Sequence, residues 1–83
     1  MAKKPLSTAD LRWRRVDGGW TLVAGGRKFG SVWPDDAMPG MWRSKLTNGQ
    51  WSDVANISHA KNAVLLVAER EIEWELRVTA NGK

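Results

Sequence analysis

The fold of this chain is decided by one short stretch, Asp17-Gly18-Gly19-Trp20-Thr21-Leu22-Val23-Ala24-Gly25-Gly26. Its centre is rich in the aromatic and β-branched residues that favour strands. Both ends carry Asp-Gly or Gly-Gly steps, which are strong signals for tight hairpins because the central residues of such turns need positive φ. The stretch therefore predicts a strand with a hairpin turn on either side.

Strand-like segments continue beyond both turns. Arg12–Val16 precedes the first turn, and Arg27–Trp33 follows the second. Gly30, inside the latter segment, predicts a bulge or a close approach by another element. After a loop with two prolines, Met41–Leu46 regains strand character, and Trp51–Val54 is a short final strand or an extended lead-in. The first half therefore predicts an antiparallel meander of three to five strands.

The second half changes to a helical period. Apolar residues fall on one side of a helical wheel, namely Ile57, Ala60, Ala63, Val64, Val67 and Ala68. Ser58 is placed to cap the start of this helix, with Ile57 as a hydrophobic staple. The pattern predicts a helix from about residue 58 to at least residue 70.

The next segment, Glu71–Val78, alternates charged and apolar residues, which is typical of a strand. No turn residue separates it from the helix, and Glu69, Arg70 and Glu73 suit a helical polar face. We favour one helix that ends near residue 77, with a strand as the alternative. The expected fold is α+β, with the meander covered on one face by the C-terminal helix. The expected domain is 10–79, with disordered tails at 1–9 and 80–83.

A chain of 83 residues and 9.3 kDa forms one small domain with a marginal core. It has no cysteine, so disulfides and thiolate metal sites are excluded. Self-association is then the expected reinforcement. The apolar residues Ile72, Trp74 and Leu76 are the candidate anchors of a homodimer.

The net charge of +4 is unevenly distributed. Residues 1–55 contain nine Lys/Arg and five Asp/Glu, whereas residues 56–83 contain four of each. Strand alternation places a cationic set on one sheet face: Arg12, Arg14, Lys28, Arg43 and Lys45. The opposite face, which the helix would cover, receives the apolar set Trp13, Trp20, Leu22, Phe29, Trp33, Trp42 and Leu46.

A cationic sheet face suggests nucleic acid as the partner, since basic side chains neutralise phosphates and reach base edges. The candidate contact residues are Arg12, Arg14, Arg27, Lys28, Arg43 and Lys45. A simply solvated face and a protein-binding face are the alternatives. Trp51 and Trp74 are the rings least easily assigned to the core, so each is a candidate for base stacking or for an interface.

The layout resembles that of two families of DNA-binding domains. The similar pieces are Gly19-Trp20-Thr21-Leu22, Gly30-Ser31-Val32-Trp33 and Ile57-Ser58-His59-Ala60-Lys61-Asn62-Ala63. They resemble the integrase amino-terminal arm-binding domains and the plant ethylene-response domains in architecture and in spaced Trp, Gly and Ala, over about residues 12–70. That resemblance implies a sheet face that enters the major groove of DNA. The chain also looks like short uncharacterised Trp-rich proteins of proteobacteria and their prophages, a class that implies no activity.

Signals for catalysis are poor, so we expect a non-enzymatic protein without cofactor, metal or small-molecule substrate. The only histidine, His59, falls on the polar arc of the predicted helix. Asp35, Asp36 and Asp53 form at most a weak oxygen site for a hard cation. The sequence also lacks an apolar targeting segment and a run long enough to span a bilayer, which predicts a cytoplasmic protein without membrane contact.

Overall fold

A computed structural model of the chain describes residues 6–47, 49–52 and 54–81. It shows a four-stranded antiparallel sheet of order β1-β2-β3-β4, followed by one C-terminal helix that packs on the sheet. The predicted α+β meander is therefore confirmed. The elements are β1 (Arg12–Val16), β2 (Gly19–Ala24), β3 (Arg27–Pro34), β4 (Trp42–Leu46) and α1 (Ile57–Asn81).

The two predicted hairpin turns are present. Asp17 and Gly18 have φ values of 32° and 87°, and Gly25 and Gly26 have φ values of 56° and 80°. Two successive positive φ angles are the requirement of a type I′ turn, whose twist matches that of the flanking strands. Each turn has only two residues between the strands that it joins, so β1 pairs directly with β2, and β2 with β3.

Gly30 interrupts the regular alternation of β3. Thr21 pairs with Ser31 while Val23 pairs with Lys28, so the register shifts between these pairs. Gly30 has a φ of 137°, and a Cβ at this position would lie 2.7 Å from Cγ1 of Val64 in α1. The bulge and the close approach predicted for this glycine therefore occur together.

The shift reverses the facing of the residues that follow it. Phe29 and Val32 are both fully buried, although an odd number of steps separates them. Ser31 and Trp33 consequently point to the side opposite α1, where they pair with Lys45 and Arg43 of β4. The expectation that Trp33 belongs to the helix-covered face is wrong, because unbroken two-residue alternation does not hold across a bulge.

The core lies between one stripe of α1 and the covered face of the sheet. Its buried residues are Leu22, Ala24, Phe29 and Val32 from the strands, and Ala60, Val64, Ala68 and Ile72 from the helix. The helical members recur every four residues, which aligns them along one side of the helix. The small residues Ala60 and Ala68 allow the helix backbone to approach the sheet closely.

A single helix includes the segment whose state the sequence left open. Glu71–Val78 continues α1, which extends to Asn81, so the strand alternative is wrong. Ile72 is buried beneath the sheet and Leu76 packs against the same core. The sheet of the same chain thus covers two of the residues for which we expected a partner subunit.

Asn56, rather than Ser58, caps the start of α1. Its side-chain oxygen Oδ1 accepts a hydrogen bond of 2.9 Å from the backbone N–H of His59. Its carbonyl oxygen accepts another, also of 2.9 Å, from the N–H of Ala60. The cap therefore lies two residues earlier than predicted, and the helix begins at Ile57.

The segment before β1 is folded from Leu6 onward. Ser7 caps a 3-10 turn, Thr8–Asp10, and Leu6 packs against the core. Part of the expected tail 1–9 is thus structured, while residues 1–5 lie outside the described residues. At the other end, the expected tail 80–83 overlaps the last turn of α1, and residues 82 and 83 are not described.

The connection from β4 to α1 runs back alongside β4. It forms two isolated bridges, Lys45 with Trp51 and Trp42 with Ala55, so it is an extended lead-in rather than a fifth strand. Among the described residues, no helix is both long and apolar enough to cross a bilayer.

Candidate functional site

The sheet surface turned away from α1 carries the predicted cations; we call it the open face. Its members are Arg12, Arg14, Thr21, Val23, Lys28, Ser31, Trp33, Arg43 and Lys45. One row across the strands is Arg12–Val23–Lys28, and the next is Arg14–Thr21–Ser31–Lys45. Both rows therefore begin and end with a basic residue.

The five cations of the open face are all exposed. Within the described part of the chain, only Arg43 has a carboxylate in ion-pair range, with its Nε 3.2 Å from Oδ1 of Asp35. The remaining four, Arg12, Arg14, Lys28 and Lys45, form no such pair with any described residue. The structure thus brings together five of the six basic residues proposed from the sequence.

Arg27 is the sixth, and it lies on the helix side of the sheet. Its guanidinium donates hydrogen bonds of 2.6 Å to Oε1 of Glu71, and of 2.8 and 2.6 Å to the two carboxylate oxygens of Glu75. It also sits 4.6 Å from the ring centroid of Phe29. The assignment of Arg27 to the cationic face is wrong, since it precedes Lys28 by one residue and so faces the other way.

This ion pair changes the ionisation of its members. Hydrogen bonding to Arg27 lowers the pKa of Glu75 below its ordinary value of 4.5, and burial opposes that effect only in part. The same contact raises the pKa of Arg27. Glu71 and Glu75 are four residues apart on one side of the helix, a spacing visible in the sequence.

Trp33 is the residue of the open face that sequence reasoning missed. Its ring lies over the start of β2, where a Cβ at Gly19 would be only 2.6 Å from Trp33 Cε3. A groove of about 530 Å³ runs beside the ring, lined in part by Arg14, Lys28 and Ser31. The signal that would have found Trp33 was Gly30, because a bulge there inverts the next residues.

A second groove, of about 420 Å³, is also bordered by Trp33. Trp51 and Arg43 line it together with the loop that follows β3. Trp51 is 50% exposed, and the Nζ atom of Lys45 stands 5.7 Å from its ring centroid. Two indoles and the cation Arg43 therefore line one groove, and a second cation, Lys45, stands beside the Trp51 ring.

Asp35 holds the loop beside this groove. Its Oδ2 atom accepts hydrogen bonds from the backbone N–H groups of Ala37, at 3.1 Å, and Met38, at 2.9 Å. Its Oδ1 atom pairs with Arg43, and only 8% of the side chain is exposed. Asp35 thus has a structural role, while the third member of the suggested cation site, Asp53, lies outside the described residues.

The centre of the open face is polar but uncharged. The hydroxyl oxygens of Thr21 and Ser31 are 3.3 Å apart and share one hydrogen bond between β2 and β3. Thr21 is buried, so the partly exposed hydroxyl of Ser31 is the one able to donate to or accept from a ligand lying across the strands.

The three proposed dimer residues do not share a surface. Ile72 and Leu76 face the sheet, whereas Trp74 is 61% exposed on the opposite side of α1. Trp74 instead lies in line with Leu66 and Val78, both of which are also exposed. The spacing of eight and four residues between them is the sequence signal for this second stripe.

The described residues include no group of three or more His, Asp or Glu side chains placed to hold a metal ion. His59 is exposed at the first turn of α1, in a shallow depression with Ser58 and Asn62.

No protein-family model, curated protein or solved structure matches this chain. The functional conclusion therefore depends on the geometry of the open face.

Proposed function

We propose that this chain is a small non-enzymatic module that binds nucleic acid through the open face. The observation that carries the proposal is the presence of five exposed cations on one uncovered sheet surface, four of them without an ion-pair partner among the described residues. Such a surface attracts a polyanion, because each neutralised phosphate releases condensed counterions.

The distribution of acids supports the same orientation. The four glutamates of α1, at positions 69, 71, 73 and 75, belong to the helix, which covers the other side of the sheet. Two of them, Glu71 and Glu75, share an ion pair with Arg27, which offsets one of their two negative charges. α1 also carries Lys61, Arg70 and Arg77, so its charges nearly balance, whereas the open face has an excess of positive charge and attracts a phosphate backbone more strongly.

The test is a salt titration of binding. Fluorescence anisotropy with labelled single-stranded and duplex DNA, from about 50 to 200 mM salt, measures how the association constant changes with salt. Contacts with four or five phosphates give a slope of roughly −3 to −4.5 in a double-logarithmic plot. Absence of binding to both probes at about 50 mM salt contradicts the proposal.

A matched pair of double variants locates the binding surface. Arg14→Gln with Lys28→Gln removes two cations from the open face, whereas Arg70→Gln with Arg77→Gln removes two exposed cations from the helix. The net charge falls equally in both proteins. We expect the first pair to reduce the salt slope by about 2 and the second to leave it nearly unchanged. Equal effects would mean that only total charge matters.

A second candidate function is self-association through the stripe Leu66–Trp74–Val78. Arg70 lies in the same line, and positions 66, 70, 74 and 78 are symmetric about residue 72. An antiparallel second copy would thus place Leu66 against Val78 and the Arg70 guanidinium on the Trp74 ring, a favourable cation–π contact. Light scattering after size exclusion tests this: a monomer at every concentration contradicts it, and Trp74→Ala should shift a dimer towards monomer.

A further inference from the structure

We infer that the open face takes unpaired nucleotides, with bases stacked on Trp33 and Trp51. This inference rests on the proposed nucleic-acid function and names the form of the ligand. It starts from the groove of about 420 Å³ that these two indoles border. Trp51 is half exposed and Trp33 is partly exposed, and the open part of an indole is able to stack on any base, because all bases have a π-face.

The position of Trp51 is hard to explain by packing alone. The ring is 50% exposed, although the extended segment around it is fixed to β4 by a bridge to Lys45. Tryptophan is usually well covered in folded proteins, since each ring provides a large apolar area. Stacking of a base requires a ring that is accessible to solvent and a backbone that is fixed in position, and Trp51 has both.

Cations stand beside both rings. Lys45 Nζ lies 5.7 Å from the Trp51 ring centroid, and Arg43 is the cross-strand partner of Trp33. A nucleotide presents a flat base next to a charged phosphate, so a ring with an adjacent cation matches both parts at once. The two pairs are Trp33 with Arg43 and Trp51 with Lys45. Each pair suits one nucleotide, so together they suit successive nucleotides of one strand.

The chemistry of the groove favours a base over a phosphate, and an unpaired base over a duplex. Asp35 and Asp36 line the groove together with Arg43, and their carboxylates repel a phosphate, whereas a base has no net charge and is not repelled. In a duplex the base faces are stacked on each other, so only the edges are accessible. Stacking on protein rings therefore requires bases that are splayed out from a single strand.

The experiment compares a labelled oligothymidylate with a mixed-sequence duplex of the same length, using the full chain. The variant is Trp51→Leu, and Trp74→Leu on the helix is the control, because both remove a ring that is at least half exposed. We expect Trp51→Leu to weaken binding of the single strand by roughly 5- to 100-fold, and Trp74→Leu to leave it unchanged. Quenching of tryptophan fluorescence by the single strand should also fall in Trp51→Leu alone.

Thermal unfolding of both variants excludes a general loss of folding as the cause. The inference is overturned if the duplex binds as tightly as the single strand and the two tryptophan variants behave alike. Salt-dependent binding in that case leaves the proposed function standing, with the duplex as its ligand. Failure of both probes to bind at low salt overturns the proposed function together with this inference.

Discussion

Gly30 of β3 lies against Val64 of α1, so closely that a Cβ on the glycine would be 2.7 Å from Val64 Cγ1 and 2.8 Å from the carbonyl oxygen of Lys45. This contact joins the core to the open face. The glycine lets the helix approach the sheet, and the bulge that it forms turns Trp33 outward. One small residue thus affects both stability and the proposed binding surface.

Replacing Gly30 should destabilise the protein by two separate effects. Gly30→Ala introduces a strained φ and a steric clash, and we expect it to lower the free energy of unfolding by about 2–4 kcal/mol. The control is Gly40→Ala, at a φ of 81° with nothing within 4 Å of the added Cβ. Its strain alone should cost about 1–2 kcal/mol. If urea denaturation shows the same loss of unfolding free energy for both variants, the contact with Val64 does not add to the destabilisation by Gly30→Ala.

Ser44 connects β4 to the first turn of α1. Its buried hydroxyl donates a 2.7 Å hydrogen bond to the carbonyl oxygen of Ala60. We expect Ser44→Ala to lower the free energy of unfolding by about 1 kcal/mol, since a buried hydrogen bond is lost. Ser58→Ala makes the same chemical change at an exposed site of α1 and should have a much smaller effect. Indistinguishable denaturation midpoints for the two variants would contradict this role.

Acidification should weaken the attachment of the C-terminal half of α1 to the β2–β3 hairpin. Arg27 lowers the pKa of Glu75 in the folded state, so the ionised carboxylate stabilises the fold above its ordinary pKa of 4.5. That stabilisation disappears as the pH falls from 4.5 through the lowered folded-state value. It stays below about 1 kcal/mol, because both groups are partly exposed to solvent.

The measurement is thermal unfolding of Glu75→Gln against pH. The variant should be less stable than the parent at neutral pH, and the difference should shrink as the pH drops below 4.5. Glu73→Gln is the control, because Glu73 is exposed and forms no ion pair with a described residue. A difference that persists unchanged in acid would exclude the Arg27 contact as its cause.

Asp35 should restrain nucleic-acid binding by occupying Arg43. In Asp35→Asn the amide oxygen still accepts hydrogen bonds from the loop N–H groups, but Arg43 loses its ion pair. We expect affinity for single-stranded DNA to rise roughly two- to five-fold at low salt. Asp36→Asn makes the same charge change in the same loop and should raise affinity less. Identical gains in anisotropy titrations would point to net charge alone.

Local sequence signals were sufficient for most of the secondary structure. Paired glycines or Asp-Gly define both hairpins, and the absence of Gly and Pro between Ala60 and Gly82 indicates one long helix. The segment Glu71–Val78 shows the limit of such signals, because its alternation suits a strand and its polar spacing suits a helix. Contact between Arg27 and the glutamates at 71 and 75, together with burial of Ile72, favours the helical state.

The candidate site was recovered in part. Alternation correctly placed Arg12, Arg14 and Lys28 on one face, since no bulge lies between them and the turns that fix their register. It failed for Trp33, which follows the bulge. The role of Trp51 as a border of the groove was also invisible, because it depends on how the segment after β4 returns to the sheet.

The sequence by itself determined the order of the elements, the hairpin turns and the concentration of positive charge in the first half, because these follow from local φ preferences and composition. The tertiary structure alone decided that Arg27 is paired with the helix, that Ile72 is buried and that Trp33 faces outward. Each of these outcomes arises from a contact between residues distant in the chain. A local sequence pattern restricts which long-range contacts are possible, but it does not determine which of them form.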